Sequence, residues 1–224
     1  MDNQRPMDNQ LGVRALRRSR FHDEKGNRID FGGMIYAPAA LISAILRVGF
    51  GYRGRRPMIS YRAARVIEAE LTPQSRCVEF GSGFSTPWLA RRCGFLLSLE
   101  NDQLWHDTVR QMLAGPEFSH VRYEFRVPEA FAELSNIDDG SLDFIMIDGW
   151  DRHGCVQCAL SKVKPGGMIY LDNSDKDMTR PDGDLRRAET ALLDAVTARS
   201  GSVRYFTDFA PTNFFAEQGM MARL

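Results

Sequence analysis

Short apolar runs alternate with amphipathic stretches along most of the chain. After Ser60, the residues Ala63, Ala64, Val66, Ile67 and Ala69 share one face, which predicts a helix through about Leu71 capped by Ser60. Residues 76–80 read as a short buried strand that ends at glycines. Ser85 or Thr86 is expected to cap a following helix, in which Pro87 suits the first turn. Residues 95–100 and 121–125 read as further strands, with a helix over 102–113 between them. A helical turn at 130–134 and a turn at Asp138-Asp139-Gly140 follow. The nearly unbroken apolar run 142–147 has the composition of a strand covered on both faces.

The second half continues in the same way. A helix is predicted over 152–162, a turn at Lys164-Pro165-Gly166-Gly167, and a fifth strand over 168–171. A helix near 185–198 and strands near 203–206 and 213–222 close the chain, the last two without a helix between them. Strands alternating with helices at this spacing predict an α/β fold, a doubly wound parallel sheet with helices on both faces and an antiparallel hairpin at one edge.

The first 58 residues follow no such rhythm. Residues 1–30 are polar and arginine-rich, and are expected to be a flexible amino-terminal arm. Residues 31–58 contain the apolar run 34–46, which Pro38 interrupts. It is too short to span a bilayer, and four arginines (Arg47, Arg53, Arg55, Arg56) follow it. A helical cover packed on the domain is favoured over an interfacial helix. Residues 59–224 form the main domain.

With 29 basic and 29 acidic residues, no net charge argues for nucleic acid as a partner. Four scattered cysteines and the absence of a signal-like apolar start point to a cytoplasmic location. Cys155 and Cys158 have CxxC spacing, but without a second pair they read as small residues on a helix face. The arginines between Arg14 and Arg20 read as a solvated tail.

Candidate chemistry gathers at the ends of strands. Gly81 and Gly83 lie where a strand turns into a helix, where a missing Cβ lets backbone approach a ligand and free helix amides point at the same crevice. The third glycine of a dinucleotide fingerprint is absent, because Phe84, Ser85 and Thr86 follow. Glu79, two positions before Gly81, would repel a pyrophosphate and attract a ligand ammonium. Glu100 ends the second strand, 19 residues after Gly81, where a carboxylate can accept both hydroxyls of a ribose. Asp148 ends the fourth strand, and Asp172 with Asn173 ends the fifth. Neighbouring strands are about 4.8 Å apart, so these oxygens should converge. Two carboxylates and an amide oxygen suit a hard cation such as Mg²⁺.

The segments VEFGSGFS (78–85), SLEND (98–102), DFIMIDG (143–149) and KPGGMIYLDN (164–173) resemble the successive motifs of class I S-adenosylmethionine (SAM)-dependent methyltransferases. The resemblance implies a mostly parallel seven-stranded sheet in the order 3-2-1-4-5-7-6 with strand 7 antiparallel. It further implies that Glu79, Gly81, Ser82, Gly83 and Ser85 surround the methionine portion of SAM, and that Asp148 contacts the SAM amino group or the acceptor. Glu100 and Asn101 would meet the ribose, and residues 125–127 the adenine. The acids after strands 4 and 5 are similar to those of cation-dependent, catechol-type O-methyltransferases, which implies Asp148, Asp172 and Asn173 as ligands to a divalent metal. The lysine base of that group is missing here, leaving Asp148, Asp151 and His153 as candidate catalytic residues, His153 by virtue of its proton affinity near neutral pH.

The expected activity is methyl transfer to a hydroxyl of a small-molecule acceptor. An NAD(P)-dependent oxidoreductase and a non-catalytic SAM-binding module are the alternatives. Trp105 and Trp150 are candidates for stacking on adenine or acceptor, and a homodimer is compatible with the sequence.

Overall fold

A computed structural model describes residues 17–224. Its sheet has seven strands: β1 (Arg76–Phe80), β2 (Phe95–Glu100), β3 (Val121–Phe125), β4 (Leu142–Ile147), β5 (Val163–Leu171), β6 (Ser202–Asp208) and β7 (Glu217–Arg223). Their order is β3-β2-β1-β4-β5-β7-β6. β7 runs antiparallel to both β5 and β6, and the pairs among β1 to β5 are parallel. This is the order expected from the sequence.

Side-chain alternation divides the core into two layers. Val78, Phe80, Ile145, Ile147, Ile169 and Leu171 pack under α6 (Arg152–Lys162) and α7 (Asp184–Ala198). Cys77, Phe144, Met146, Met168 and Tyr170 face α3 (Tyr61–Glu70) and α4 (Ser85–Ala90). β4 is fully buried from Phe144 to Ile147, which accounts for its unbroken apolar run. Each buried Ile or Phe there contributes about 1.5–3 kcal/mol over its exposed state. Glu79 shares the parity of Cys77, so it enters the α3/α4 layer as a carboxyl in an apolar face.

Local chemistry starts the helices. Ser60 accepts the Ala63 amide at the head of α3, and Asp102 accepts that of Trp105 at the head of α5 (Gln103–Met112). Neither Ser85 nor Thr86 caps α4; Phe84 stands at that position with no side-chain hydrogen bond. Pro38 does not break the early apolar run. It lies in the first turn of α2 (Ala37–Phe50), where a missing amide hydrogen costs nothing, and the short α1 (Phe31–Met34) precedes it.

Two edges of elements differ from expectation. β5 begins at Val163 because Leu142 pairs with Val163 before Phe144 pairs with Met168, so the Lys164–Gly167 segment bulges out within the strand. The helical turn expected at 130–134 is instead a 3₁₀ turn at Pro128–Ala130. The segment 17–30 also differs from a flexible arm, for several of its polar side chains are held by the domain. Asp23 is buried and accepts from Thr207 Oγ1 at 2.8 Å and Gln218 Nε2 at 3.0 Å. Arg17 pairs with Glu24 at 3.3 Å and Asp175 at 3.7 Å. Lys176 holds Glu24 at 2.6 Å, and the Glu24 amide donates to Asp175 at 3.0 Å. Residues 1–16, including Arg14, lie outside the described residues.

Candidate functional site

The loop after β1 is a tight backbone crossing. Gly81 has φ +88°, and a Cβ there would sit 2.6 Å from the Cα of Gly149, which follows β4. The sequence suggested ligand approach as its reason for being glycine; the structure adds that β1 and β4 can end side by side only if neither loop carries a side chain there. A Cβ on Gly83 would meet only Ser85 Oγ and the Trp105 ring, at 3.8 and 3.9 Å. Gly83 is therefore the position with room beside it. Trp105 Nε1 donates to the Ser82 carbonyl at 2.7 Å and ties this loop to α5.

Glu79 lies fully buried beneath the loop. Its Oε2 accepts from Thr86 Oγ1 and Ser98 Oγ, each at 2.7 Å, while Oε1 has no hydrogen-bond partner. Burial pushes its pKa up to about 7, against the pull of the Ser85, Ser98 and Thr86 hydroxyls, and the charge of Asp148 adds to the rise. An open carboxylate oxygen in an apolar layer is a natural counter-charge for a cation.

Glu100 is engaged on both oxygens. Oε2 accepts from the Ser82 amide at 3.0 Å and the Ser82 hydroxyl at 2.7 Å; Oε1 accepts from the amides of Asn101 and Asp102 at 2.9 Å each. Asn101 thus contributes through its backbone. Ser82 Oγ has a second partner in Tyr123 OH at 2.8 Å. Beyond Glu100, His106 stacks on Tyr123 at 4.5 Å, and Phe125 and Val127 are partly exposed.

The acids after β4 and β5 do converge, around a residue that sequence reasoning missed. Arg152 Nη2 lies 2.8 Å from Asp148 Oδ1 and 3.3 Å from Asn173 Oδ1. Asp172 is buried and accepts from Tyr170 OH at 2.8 Å. Burial, and then the neighbouring charge of Asp148, hold the Asp172 carboxyl well above the usual carboxylate range. Burial also raises Asp148, against the pull of Arg152. Glu217 at the start of β7 belongs to the same acidic neighbourhood. Burial pushes it up to about 6, and it makes no hydrogen bond or ion pair with the described residues. Arg152 follows Asp148 by four residues, but Asp148 lies outside the helix that Arg152 begins, so helical spacing gave no signal of the pair.

The donor set suits a divalent cation in kind but not in charge. Arg152 already donates to two of its three members, and a divalent ion placed there would face a guanidinium. Among the described residues no three His, Cys, Asp or Glu side chains cluster as metal ligands.

Asp151 and His153 are engaged elsewhere. Asp151, with φ 45°, caps α6 by accepting the Gly154 amide. The His153 ring lies 3.4 Å from Gln157 Nε2 and lines a groove with Pro181, Arg187 and Asp194, while the His153 amide donates to Asp184. Trp150 is 60% exposed. Cys155 is buried and Cys158 half-buried on α6, both as free thiols.

No protein-family model and no curated protein matches the sequence. Solved structures do. An O-methyltransferase from Bacillus cereus in complex with SAH aligns at 15% identity and TM-score 0.61, covering 86% of this chain and 96% of the other. The O-methyltransferase TomG from Streptomyces achromogenes, in complex with SAM and involved in tomaymycin synthesis, aligns at 17% identity and TM-score 0.58, covering 86% and 95%. Together with the strand order, these similarities give the chain the fold of class I SAM-dependent methyltransferases. The resemblance of its motifs to that class thus holds at the level of architecture.

Proposed function

We propose that the protein is a SAM-dependent methyltransferase that methylates a hydroxyl group of a small molecule. The observation that carries this reading is the buried Glu79, whose unpartnered Oε1 lies beneath the glycine loop and offers a counter-charge to the SAM ammonium. Glu100 supports it. All four acceptor sites of that carboxylate are in use, but the Ser82 hydroxyl can fall back on Tyr123, leaving Glu100 free to receive a ribose hydroxyl. Gly83 leaves space for the ligand chain, and Phe125 and Val127 supply apolar surface at the end of β3 for the adenine.

SAM, when bound, supplies an electrophilic sulfonium methyl that an acceptor oxygen attacks in line. The chain's task is to hold the acceptor hydroxyl and remove its proton. Asp148 and Asp172 are suited to this, because burial raises the proton affinity of both. Asp148 is the proposed proton acceptor, in preference to Asp151 and His153, whose side chains are directed to the α6 cap and the α6/α7 groove. Arg152 holds Asp148 and Asn173 in place and supplies a fixed positive charge to the side chains that the resemblance would assign to a divalent ion, so the proposed reaction proceeds without Mg²⁺. The bound proteins named above favour the same cofactor: one structure contains SAH and the other SAM.

Isothermal titration with SAM, SAH and NADH tests the cofactor; SAM and SAH should bind at micromolar affinity and NADH should not. A panel of hydroxylated acceptors with SAM, run with EDTA and with added Mg²⁺, tests the reaction. NADH binding without SAM binding would replace this reading with the oxidoreductase, and SAM binding without turnover on any acceptor would leave a binding module.

A further inference from the structure

α2 is built inside out. The side it turns to the domain carries small and polar residues: Ala40 is buried, Ser43 Oγ accepts the Thr212 amide at 2.9 Å, and Arg47 reaches Asn213 Oδ1 at 3.0 Å. Its large apolar residues point away. Leu41, Ile42, Ile45 and Val48 are 43%, 60%, 56% and 87% exposed, at the three- and four-residue spacing of one helix face. Phe31, Ile35, Phe50 and Tyr52 extend this exposed surface at either end of the helix. Burying Leu and Ile is the largest stabilisation available to a soluble helix, so a stretch that exposes them has another surface to meet.

Charge says which surface. Between Asp30 and Glu68 the sequence holds six arginines and no acid. Arg53, Arg55 and Arg56 follow α2 directly and are exposed, and no hydrogen bond or ion pair holds Arg55 or Arg56 among the described residues. Arg55 and Arg56 line a cavity of about 620 Å³ with Arg65, Arg91 and Arg92, opposed by the single acid Glu68. Glu68 is committed to Arg92 at 2.5 Å. The cavity lies on the outer side of α3 and α4, apart from the glycine loop. A protein partner would match either the apolar face or the arginines by chance arrangement of its own groups; an anionic lipid surface presents both chemistries everywhere, acyl chains beneath and phosphates above. At 14 residues α2 cannot cross a bilayer, and no helix among the described residues is long and apolar enough to do so.

We propose that α2 and the arginine loop after it dock this protein on an anionic phospholipid surface, the apolar face of α2 lying in the headgroup–acyl boundary and lipid phosphate entering the arginine-lined cavity. The proposal stands apart from the methyltransferase reading, since neither Glu79 nor the acids after β4 and β5 take part in it.

Co-sedimentation of the full chain with sucrose-loaded vesicles tests it, comparing pure phosphatidylcholine with a mixture containing 30% phosphatidylglycerol. The expected result is binding to the mixed vesicles that exceeds binding to neutral ones at least tenfold and that falls at about 1 M salt, where the Debye length is about 3 Å. Arg55→Glu/Arg56→Glu should lower partitioning at least tenfold, at about fivefold per basic residue removed. Ile42→Asp/Ile45→Asp should abolish it. Both pairs are exposed, so thermal melts should match the parent, and a variant that fails this check is replaced by Val48→Asp or Arg53→Glu. Equal sedimentation with neutral and anionic vesicles overturns the proposal, as does binding that survives the Ile pair. A chain that is dimeric by light scattering, turns monomeric in the Ile pair and ignores vesicles would show that a second copy covers α2, and would also overturn it.

Discussion

Glu79→Gln separates the cost of burying a carboxylate from its use. In the native fold Oε1 accepts no hydrogen bond and the pKa stands at about 7, against 4.5 for an ordinary glutamate. Below pH 4.5 the side chain is protonated in both folded and unfolded chains and costs nothing extra. Between 4.5 and 7 the folded protein keeps a proton that the unfolded chain has released, so stability falls as pH rises through this window. The full difference amounts to about 3 kcal/mol, at about 1.4 kcal/mol per pH unit. Glutamine keeps an oxygen for Thr86 and Ser98 and carries no charge. At pH 4 the variant should therefore match the parent in urea titrations, and at pH 8 it should be more stable by up to about 3 kcal/mol. Its affinity for SAM should move the other way. Loss of a charge-assisted hydrogen bond of about 1.5–3 kcal/mol weakens binding by roughly 10- to 150-fold, and parent affinity should rise with pH through about 7 as Glu79 ionises. Parallel pH–stability curves for parent and variant would show that burial of this carboxyl is not costly. SAM binding unchanged in the variant would remove Glu79 from the ammonium site and, with it, the main support for the proposed cofactor.

Further substitutions probe the acidic cluster and the sheet beneath it. Arg152→Met strips Asp148 and Asn173 of their guanidinium; it should destabilise the protein by about 1–3 kcal/mol at pH 8, and by less as pH falls, because the raised acids then take up protons. It should also make melting temperature rise with Mg²⁺, a response absent from the parent; a parent that responds to Mg²⁺ and loses the response in Asp148→Asn would refute the role given to Arg152. Gly219→Ala would place a Cβ 2.0 Å from the buried Tyr170 hydroxyl, so it should cost at least about 1–3 kcal/mol by overpacking and disturb the Tyr170–Asp172 bond. A parental melting temperature would show that β7 yields more readily than its packing implies. Trp105→Phe deletes the bond to the Ser82 carbonyl and should lower stability by about 1 kcal/mol in urea titrations, while the untied loop should weaken SAM binding by calorimetry; a much larger loss of stability would mean that the ring matters as core instead.

Much of this was legible in the sequence because strand and helix patterning is local. The bounds of β1, β2 and β4 followed from short strand-like segments closed by glycine or acid, and Ser60 announced its helix by type and position. The acids at the ends of β4 and β5 were also readable, since a carboxylate that ends an apolar strand has few reasons to be there. Other features depend on residues far apart in the chain. Arg152 reaches Asn173 as well as its neighbour Asp148 only when β4 and β5 lie side by side. Arg17, Glu24 and Asp23 resemble a solvated arm until Asp175, Thr207 and Gln218 pair or hydrogen-bond with them from more than 150 positions away. Gly81 read as a ligand-approach glycine, yet its tightest neighbour is the backbone of Gly149. The apolar run in α2 announced a helix but not its orientation, because periodicity says that a face exists and only packing says which way it points. The sequence by itself determined the order of elements, the buried carboxylate beneath the glycine loop and the kinds of oxygen at the strand ends. The tertiary structure decided their partners, because charge pairing and exposure depend on distances that the chain sets only once it has closed on itself.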